Sequence, residues 1–578
     1  MNRRASFPRI AWLATLLAGA LGLVAGRVAW LSLAEQEQGI LAFDIGEIPP
    51  QRGTIWDRDG ALLATETYDR YEIVLDREAA ADTTALAIEL APILGEDPAS
   101  LGARLEAGGR WQVLDSVALP ETAEAIDALE HPALAAKRNP SRHYPARDLT
   151  GHLTGFVDLE GQGHYGLEGQ YDSLLRGMPG RRPGIYRTDP RAFVMPADGS
   201  DLVLTIDLDL QVVAMEVLRE AVRHENATAG TLVALDPVTG ELLASASWPT
   251  YDPNRYQAYD FDRYNDPAVR GSYPPGSVIK PLTLAAAIDA GLLAPESTYE
   301  DTDSVRFGGI LVPNPDRFGH GLTTMTDMLR LSLNVGAVHV ARTLGRDRFY
   351  IALDSFGFGR ATGIDLSGEL DGLVHWPEDG VWTEEIFAFN AYGQALDATP
   401  LQVTAAMATL ANDGWQLRPR VVGATVPPFG APVPLPADEP VAVVSPTTAR
   451  AVRRMMTRVV QDRVTQAAVP GFEVAGKTGT SEIPGAPGED KDLIASFCGM
   501  LPADEPQLVV CVKIDRPEGG RGSRVAAPVF RAFAEQAVVI LDIPPDDPEA
   551  WAEGRIAAAA AEAEQATERD RSDREESP

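Results

Sequence analysis

Histidine, cysteine and basic residues are scarce in this chain. Its 578 residues include eight histidines, two cysteines and 50 lysines and arginines against 83 acidic residues, which gives a formal net charge of −33. Because the histidines form no cluster with the spacing of metal ligands, we expect no metal site. The acidic balance, without a basic patch, argues against nucleic acid as a partner. The length allows several domains with large cores.

A long apolar run occurs at the N-terminus. Residues 10–26 carry no charge, and the run continues past Arg27 to residue 33, which predicts one transmembrane helix over residues 10–33. Three arginines lie within residues 1–9, so this short tail is expected to be cytoplasmic. The alternative is a cleaved signal peptide with its site near residues 18–20. Both interpretations export the body of the chain.

Three short motifs follow one another in the second half: Ser277-Val278-Ile279-Lys280, Ser332-Leu333-Asn334 and Lys477-Thr478-Gly479-Thr480. In the first motif, a turn over residues 273–276 precedes a predicted helix over residues 277–293. Residues three apart share a helix face, so the Lys280 amine can reach the Ser277 hydroxyl and take its proton. A second cation, Lys477, would help to lower the pKa of Lys280. Alone, the motif would indicate a helix-capping serine and a solvated lysine.

The third motif follows a predicted strand over residues 472–476, and residues 493–499 and 508–514 are predicted as its sheet neighbours. Residues 471–478 also satisfy the pattern of a nucleotide-binding P-loop. Bulky Phe472 and Val474 suit a strand better than a phosphate-cradling loop, and the Gly- and Pro-rich residues after Thr478 cannot open a helix. We therefore reject the P-loop and expect no cofactor.

In combination, the motifs resemble those of the penicillin-binding proteins and serine β-lactamases. Three further segments resemble the pedestal domain of class B penicillin-binding proteins: residues 52–60 (Arg-Gly-Thr-Ile-Trp-Asp-Arg-Asp-Gly), 142–145 (Arg-His-Tyr-Pro) and 166–169 (Gly-Leu-Glu-Gly). Residues 525–530 and 541–545 favour a division or sporulation type, although residues 273–277 look like the elongation type.

The resemblance implies an α+β fold with a penicillin-binding protein/serine β-lactamase-like transpeptidase domain, in which helices flank an antiparallel sheet. An elongated pedestal of the dimerisation type would occupy residues 34–205, and the transpeptidase domain residues 206–545. Residues 546–578, with a net charge of −7, are expected to form an acidic, disordered tail after a frayed helix. The catalytic domain would lie outside the cell membrane, which a single helix would cross.

The resemblance also assigns roles to the motif residues. Ser277 would attack the carbonyl of a D-Ala-D-Ala stem peptide with Lys280 as base, and a second stem peptide would resolve the acyl-enzyme. Ser332 would relay protons and Asn334 would hold the substrate amide, while the Leu333 side chain between them should point away from the cleft. The third motif, on an edge strand, would present the Lys477 ammonium and the hydroxyls of Thr478 and Thr480 to the substrate carboxylate, and Gly479 would let the substrate backbone come close. The backbone N–H groups of Ser277 and Thr480 would form the oxyanion hole.

The implied ligands and partners follow from the same resemblance. β-Lactams would acylate Ser277 as covalent inhibitors. A polytopic membrane glycosyltransferase and other cell-wall assembly proteins are the expected partners, because no glycosyltransferase domain is visible in the chain. Two alternatives use the same fold. A β-lactam sensor or non-catalytic scaffold would usually add a signalling domain, for which nine residues before the apolar run leave no room. A D,D-carboxypeptidase or β-lactamase would let water resolve the acyl-enzyme.

The two cysteines are predicted to face each other. A hairpin centred on Asp504 and Glu505 places Cys498 directly opposite Cys511 across two strands, where Cβ atoms lie about 4.5–5.5 Å apart. An exported location permits oxidation to a disulfide. The alternative is a pair of buried thiols that act as small apolar side chains.

Overall fold

The computed structural model describes residues 47–181, 194–483 and 493–560. The predicted transmembrane helix and the short tail before it lie outside the described residues. Within those residues, no helix is both long enough and apolar enough to span a bilayer.

The chain forms two compact units that are discontinuous in sequence. Among the described residues, the first contains 47–51, 66–141, 177–181 and 194–198, and the second contains 52–65, 142–176, 199–483 and 493–560.

In the first unit, three helices pack with strands around a small apolar core that includes Ile73, Leu90 and Leu101. Its first helix begins where the Asp82 side chain accepts hydrogen bonds from two backbone N–H groups, and it ends at Gly95 in the left-handed conformation, a common helix terminator. The elements are β1 (Glu47–Ile48), β3 (Leu62–Asp76, which begins in the second unit), β4 (Trp111–Ala118), β5 (Leu134–His143), β8 (Gly180–Arg181), α1 (Thr83–Leu94), α2 (Pro98–Ala107) and α3 (Pro120–Ala128).

The second unit is built on a five-stranded antiparallel sheet with the order β11-β10-β22-β21-β20. Its strands are buried on both faces because helices cover each side, which explains their near-continuous apolar sequences. The strands are β10 (Ala229–Leu235), β11 (Leu242–Trp248), β20 (Ala475–Glu482), β21 (Leu493–Leu501) and β22 (Leu508–Asp515). Strand β20, which carries the third motif, lies at the edge of the sheet as predicted.

Further short strands surround this sheet. The β12–β15 and β13–β14 pairs form a small lobe of two antiparallel ladders, and β17 pairs with β9 and β18. The strands are β2 (Ile55–Trp56), β6 (Phe156–Val157), β7 (Gly163–His164), β9 (Asp201–Leu204), β12 (Thr298–Asp301), β13 (Ser304–Phe307), β14 (Ile310–Pro313), β15 (Gly321–Thr324), β16 (Trp415–Gln416), β17 (Val422–Val426), β18 (Val433–Pro434) and β19 (Val441–Ala442).

The helices of the second unit contribute about half of the buried apolar residues of its core. They are α4 (Gly151–Thr154), α5 (Gly166–Gln170), α6 (Asp172–Arg176), α7 (Leu208–His224), α8 (Pro267–Arg270), α9 (Lys280–Asp289), α10 (Met325–Leu331), α11 (Asn334–Leu344), α12 (Arg346–Ser355), α13 (Glu384–Asn390), α14 (Pro400–Ala411), α15 (Pro446–Arg463), α16 (Ala526–Ile540) and α17 (548–560). Helix α17 places Trp551 edge-on against Phe472. The rest of the predicted acidic tail lies outside the described residues.

The predicted pairing of the two cysteines is confirmed. Cys498 on β21 lies directly opposite Cys511 on β22, their Cα atoms are 4.1 Å apart, and a disulfide joins them. The boundaries of two elements differ from the predicted ones. Residues 472–474 precede the edge strand, which begins at Ala475. The predicted helix over residues 277–293 is a 3₁₀ turn, Gly276–Ile279, followed by α9, which ends at Asp289.

Three sequence segments that are far apart in the chain meet in a buried ionic cluster in the second unit. Glu168 is fully buried and lies 2.6 Å from Arg52 Nη2 and 2.6 Å from Arg142 Nε. Tyr144 donates a hydrogen bond of 3.4 Å to the same carboxylate. One carboxylate therefore joins the segments 52–60, 142–145 and 166–169.

We expect Glu168→Ala to destabilise this unit by about 3–5 kcal/mol, because it leaves two buried guanidinium groups without their shared counter-charge. Chemical denaturation followed by tryptophan fluorescence would measure the loss. Glu160→Ala is the matched control, since Glu160 is exposed and lies eight residues before Glu168. Equal denaturation midpoints for the two variants would contradict the prediction.

Candidate active site

Ser277 lies at the start of a turn that neighbouring backbone segments hold in place. Tyr273 exchanges two backbone hydrogen bonds with Ala398. Gly276 adopts the left-handed conformation with φ +61°, and its N–H donates to the Gly393 carbonyl at 2.9 Å. Ser277 lies on the 3₁₀ turn that leads into α9 and is half-buried. These contacts hold the backbone of Ser277 at the entry to α9.

Lys280 is buried and directed at the second motif. Its Nζ donates to the Ser332 carbonyl at 2.7 Å and to Asn334 Oδ1 at 2.8 Å, and the side chain is 1% exposed. Burial and, second, the charge of Lys477 hold the pKa of Lys280 well below its ordinary value. Among the described residues, no hydrogen bond joins Lys280 Nζ to the Ser277 hydroxyl, although the spacing of the motif brings the two residues to one face.

The second motif lies at the junction of α10 and α11. Ser332 ends α10 in the left-handed conformation, with φ +61°, which is uncommon for a residue with a side chain. Leu333 is fully buried in the core, as its predicted orientation away from the cleft requires. Asn334 begins α11 and its Nδ2 donates to the Pro313 carbonyl at 3.0 Å. The sharp turn therefore directs Ser332 and Asn334 toward the two lysines.

Lys477 approaches the same serine from the edge strand. Its Nζ donates to Ser332 Oγ at 2.9 Å and to the Thr478 carbonyl at 3.0 Å. The side chain is fully buried, and burial lowers the pKa of Lys477 to about 7. Lys280 thus binds the carbonyl of Ser332 while Lys477 binds its hydroxyl, which links all three motifs.

Strand β20 packs so closely against the turn that carries Ser277 that Gly479 has no room for a side chain. A Cβ there would lie 2.2 Å from Ser496 Oγ and 2.8 Å from the Pro275 carbonyl oxygen. Thr480, the next residue, is exposed. Since Lys477 lies within a continuous strand rather than at the start of a helix, the structure also rules out a P-loop.

Two residues that contribute to this geometry were missed by the sequence analysis. Gly393 has φ +80°, and a Cβ on it would lie 2.0 Å from the Gly276 carbonyl oxygen. Ser496 is buried opposite Gly479 on β21. A lone glycine between Tyr392 and Gln394 can signal a close backbone approach, but nothing in the sequence identifies its partner.

The arrangement can perform proton transfer at a serine hydroxyl. Two buried amines with lowered pKa values lie around Ser332, and a lysine can act as a base when it is neutral. Within the described ranges, no group of three or more His, Cys, Asp and Glu residues is placed to hold a metal ion.

Comparisons with known proteins agree with this site. The family model of the penicillin-binding protein transpeptidase domain matches residues 230–535, and that of the penicillin-binding protein dimerisation domain matches residues 47–190. Penicillin-binding protein PbpB of Mycobacterium tuberculosis is 33% identical over 84% of this chain and 77% of its own. Peptidoglycan D,D-transpeptidase FtsI of Escherichia coli is 30% identical over 93% of each chain.

A solved structure shows the same fold. The crystal structure of penicillin-binding protein 3 from Mycobacterium tuberculosis in complex with ampicillin aligns with a TM-score of 0.69 and 30% identity, covering 87% of this chain and 98% of that one. The transpeptidase match includes all three motifs, and the dimerisation match includes the three segments that meet at Glu168. The chain therefore belongs to the class B penicillin-binding proteins of the division and sporulation type.

Proposed function

We propose that this protein is a peptidoglycan D,D-transpeptidase that cross-links stem peptides through an acyl-enzyme on Ser277. The observation that carries the proposal is the junction of three motifs at Ser332, which Lys280 and Lys477 contact from two sides within 2.9 Å. The names of relatives support it, since FtsI of Escherichia coli is a peptidoglycan D,D-transpeptidase.

In the first half-reaction, neutral Lys280 takes the proton of the Ser277 hydroxyl. The oxygen attacks the carbonyl carbon between the two D-alanines, and the negative charge on the tetrahedral oxygen is held by the backbone N–H groups of Ser277 and Thr480. Ser332 delivers its proton to the departing amine and takes one in its place from the Lys477 ammonium, which donates a hydrogen bond to its hydroxyl oxygen. The C–N bond breaks and D-alanine leaves, with its carboxylate held until then by Lys477, Thr478 and Thr480 beside Gly479.

In the second half-reaction, the amine of an acceptor stem peptide attacks the ester carbonyl and gives up a proton to Lys477 through Ser332. The ester C–O bond then breaks as Lys280 returns its proton to the Ser277 oxygen, which yields the new peptide bond and the free enzyme. Asn334 orients the amide of the donor. A β-lactam enters as a donor mimic, and its opened ring stays attached to the ester as an inhibitory adduct. Ampicillin and aztreonam were bound in the related solved structures, which supports β-lactams as inhibitors here.

The proposal extends to the setting of the enzyme. Residues 10–33 would anchor it as a single membrane helix, with residues 1–9 in the cytoplasm and a pedestal over residues 34–205 outside. A transpeptidase domain over residues 206–545 and an acidic tail over residues 546–578 would follow. A polytopic membrane glycosyltransferase, together with other cell-wall assembly proteins, would supply the glycan strands, because the transpeptidase reaction makes none.

The test is mass spectrometry of the products formed from a D-Ala-D-Ala stem peptide, with and without an acceptor amine. A dimeric product that appears only with the acceptor supports transpeptidation. Hydrolysed peptide alone, whether or not the acceptor is present, would favour a carboxypeptidase. A stable acyl-enzyme with neither product would favour a β-lactam sensor or a non-catalytic scaffold.

The pH profile of the acylation rate should depend on both Lys280 and Lys477. Because Lys280 must be neutral, the rate should rise with pH through the pKa of Lys280, which burial and the charge of Lys477 hold below the ordinary value. Lys477→Met removes that second charge, so the pKa of Lys280 should rise and the acidic limb of the profile should move to higher pH.

A fluorescent penicillin gives the second-order acylation rate at each pH for this comparison. Lys137→Met is the control, since Lys137 is exposed and lies in the other compact unit. An acidic limb that stays in place in Lys477→Met would show that the two lysines do not interact.

A further inference from the structure

The small lobe formed by β12–β15 meets the start of α11 through one fully buried amide. Asn314 immediately follows β14 and is 0% exposed. Its Nδ2 donates to Asp301 Oδ2 at 2.9 Å, to the Thr302 carbonyl at 3.0 Å and to the Phe318 carbonyl at 3.1 Å. Its Oδ1 accepts from the Val335 N–H at 3.1 Å. Both ends of the amide are therefore occupied.

The bond to Val335 replaces a helix cap. The first N–H groups of a helix have no intrahelical partner, and the capping residue of α11, Leu333, has no side-chain oxygen to offer. Asn314 supplies the missing acceptor from another part of the chain. Its neighbour Pro313 accepts the hydrogen bond from Asn334 Nδ2. Two consecutive residues thus hold both the backbone and the side chain of the first turn of α11.

The orientation of the Asn314 amide is fixed by a buried carboxylate. Asp301 is 2% exposed and accepts hydrogen bonds from Asn314, from Tyr299 Oη at 2.7 Å and from the His320 N–H at 3.1 Å. Since only the NH₂ end of Asn314 can face a carboxylate, its oxygen must face Val335. Tyr299 also packs on α11, because a Cβ on Gly336 would lie 2.5 Å from its hydroxyl.

The contacts of Pro313 and Asn314 also determine which atom of Asn334 faces Lys280. When Pro313 accepts from Asn334 Nδ2, the opposite atom, Oδ1, faces Lys280 and accepts its 2.8 Å hydrogen bond. We propose that Asn314 is a positioning residue, which fixes the first turn of α11 so that Asn334 presents its oxygen to the Lys280 amine. This inference rests on the proposed function, in which Lys280 is the base, and it adds a residue outside the three motifs.

The first test is the acylation of Asn314→Ala by a fluorescent penicillin across pH. We expect the rate to fall by roughly 10- to 100-fold, as for other small displacements of reacting groups. Lys280 would lose an acceptor that favours its ammonium form, so its pKa should fall further and the acidic limb should move to lower pH. If the alanine variant folds poorly, Asn314→Ser is the second variant: its neutral hydroxyl can donate to Asp301 where a carboxylate could not, and it should retain an intermediate rate.

A control separates positioning from stability. Thr323→Val removes a buried hydroxyl of the same lobe, which donates to the Gly321 carbonyl at 3.0 Å and is not hydrogen-bonded to α11. It should lower the melting temperature without moving the pH profile. A double-mutant cycle adds a second criterion: in the Asn334→Ala background, Asn314→Ala should have little further effect on the rate, because Asn314 acts through Asn334.

The inference would be overturned if both Asn314 variants acylate within about threefold of the wild-type rate and show an unshifted acidic limb. It would also be overturned if the rate losses of Asn314→Ala and Asn334→Ala are fully additive in the double-mutant cycle. If the wild-type protein itself is not acylated at Ser277, the proposed function fails first, and that result is distinct from wild-type acylation with unaffected Asn314 variants.

Discussion

Ser277→Ala is expected to abolish the covalent penicillin adduct. An acyl-enzyme requires an oxygen at the attacking position, and the Ser277 hydroxyl lies at the start of α9 on a turn fixed by Gly276 and Gly393. Ser332 is another hydroxyl of the site, but Lys477 already donates a hydrogen bond to its oxygen, which makes that oxygen a weaker nucleophile. The alanine variant should therefore show the mass of the unmodified chain.

Intact mass spectrometry after incubation with penicillin measures this loss, and peptide mapping of the wild-type adduct locates the ester. Ser272→Ala is the matched control, because Ser272 is exposed and lies five residues before Ser277. Full labelling of the Ser277 variant, or a tagged peptide that lacks Ser277, would contradict the assignment.

Much of the site was predictable because its chemistry is encoded in short motifs. The pairing of Cys498 with Cys511 followed from counting residues about a hairpin, since register in an antiparallel pair is fixed by its turn. The edge position of the strand with Lys477 and the burial of Leu333 are confirmed by the structure.

What the sequence could not supply are contacts between distant segments. Spacing predicted that Lys280 reaches Ser277, yet the hydrogen bonds of Lys280 go to residues 52 and 54 positions away. Gly393 and Asn314 carry no motif, and their roles depend on which backbone they meet in the fold. The start of the edge strand at Ala475 was also missed, because apolar residues 472 and 474 are buried in the core without strand pairing.

Lys280→Ala is expected to slow acylation by roughly 10²–10⁴, the usual contribution of a general base. Burial and, second, the charge of Lys477 lower the pKa of Lys280, which favours the neutral amine that a base requires, whereas a solvated lysine stays protonated at neutral pH. The substitution also leaves the Ser332 carbonyl and Asn334 Oδ1 without their donor, and each unsatisfied buried acceptor costs about 1–3 kcal/mol.

Lys280→Met separates the two effects of that substitution. It keeps the length and the apolar stem of the side chain but has no base, so it should be more stable than the alanine variant and acylate just as slowly. Stopped-flow acylation with a fluorescent penicillin, at equal folded concentrations determined by thermal melting, gives the comparison. If either variant acylates within a few-fold of wild type, another group removes the Ser277 proton, and the hydroxyl of Ser332 beside Lys477 would be the next residue to test.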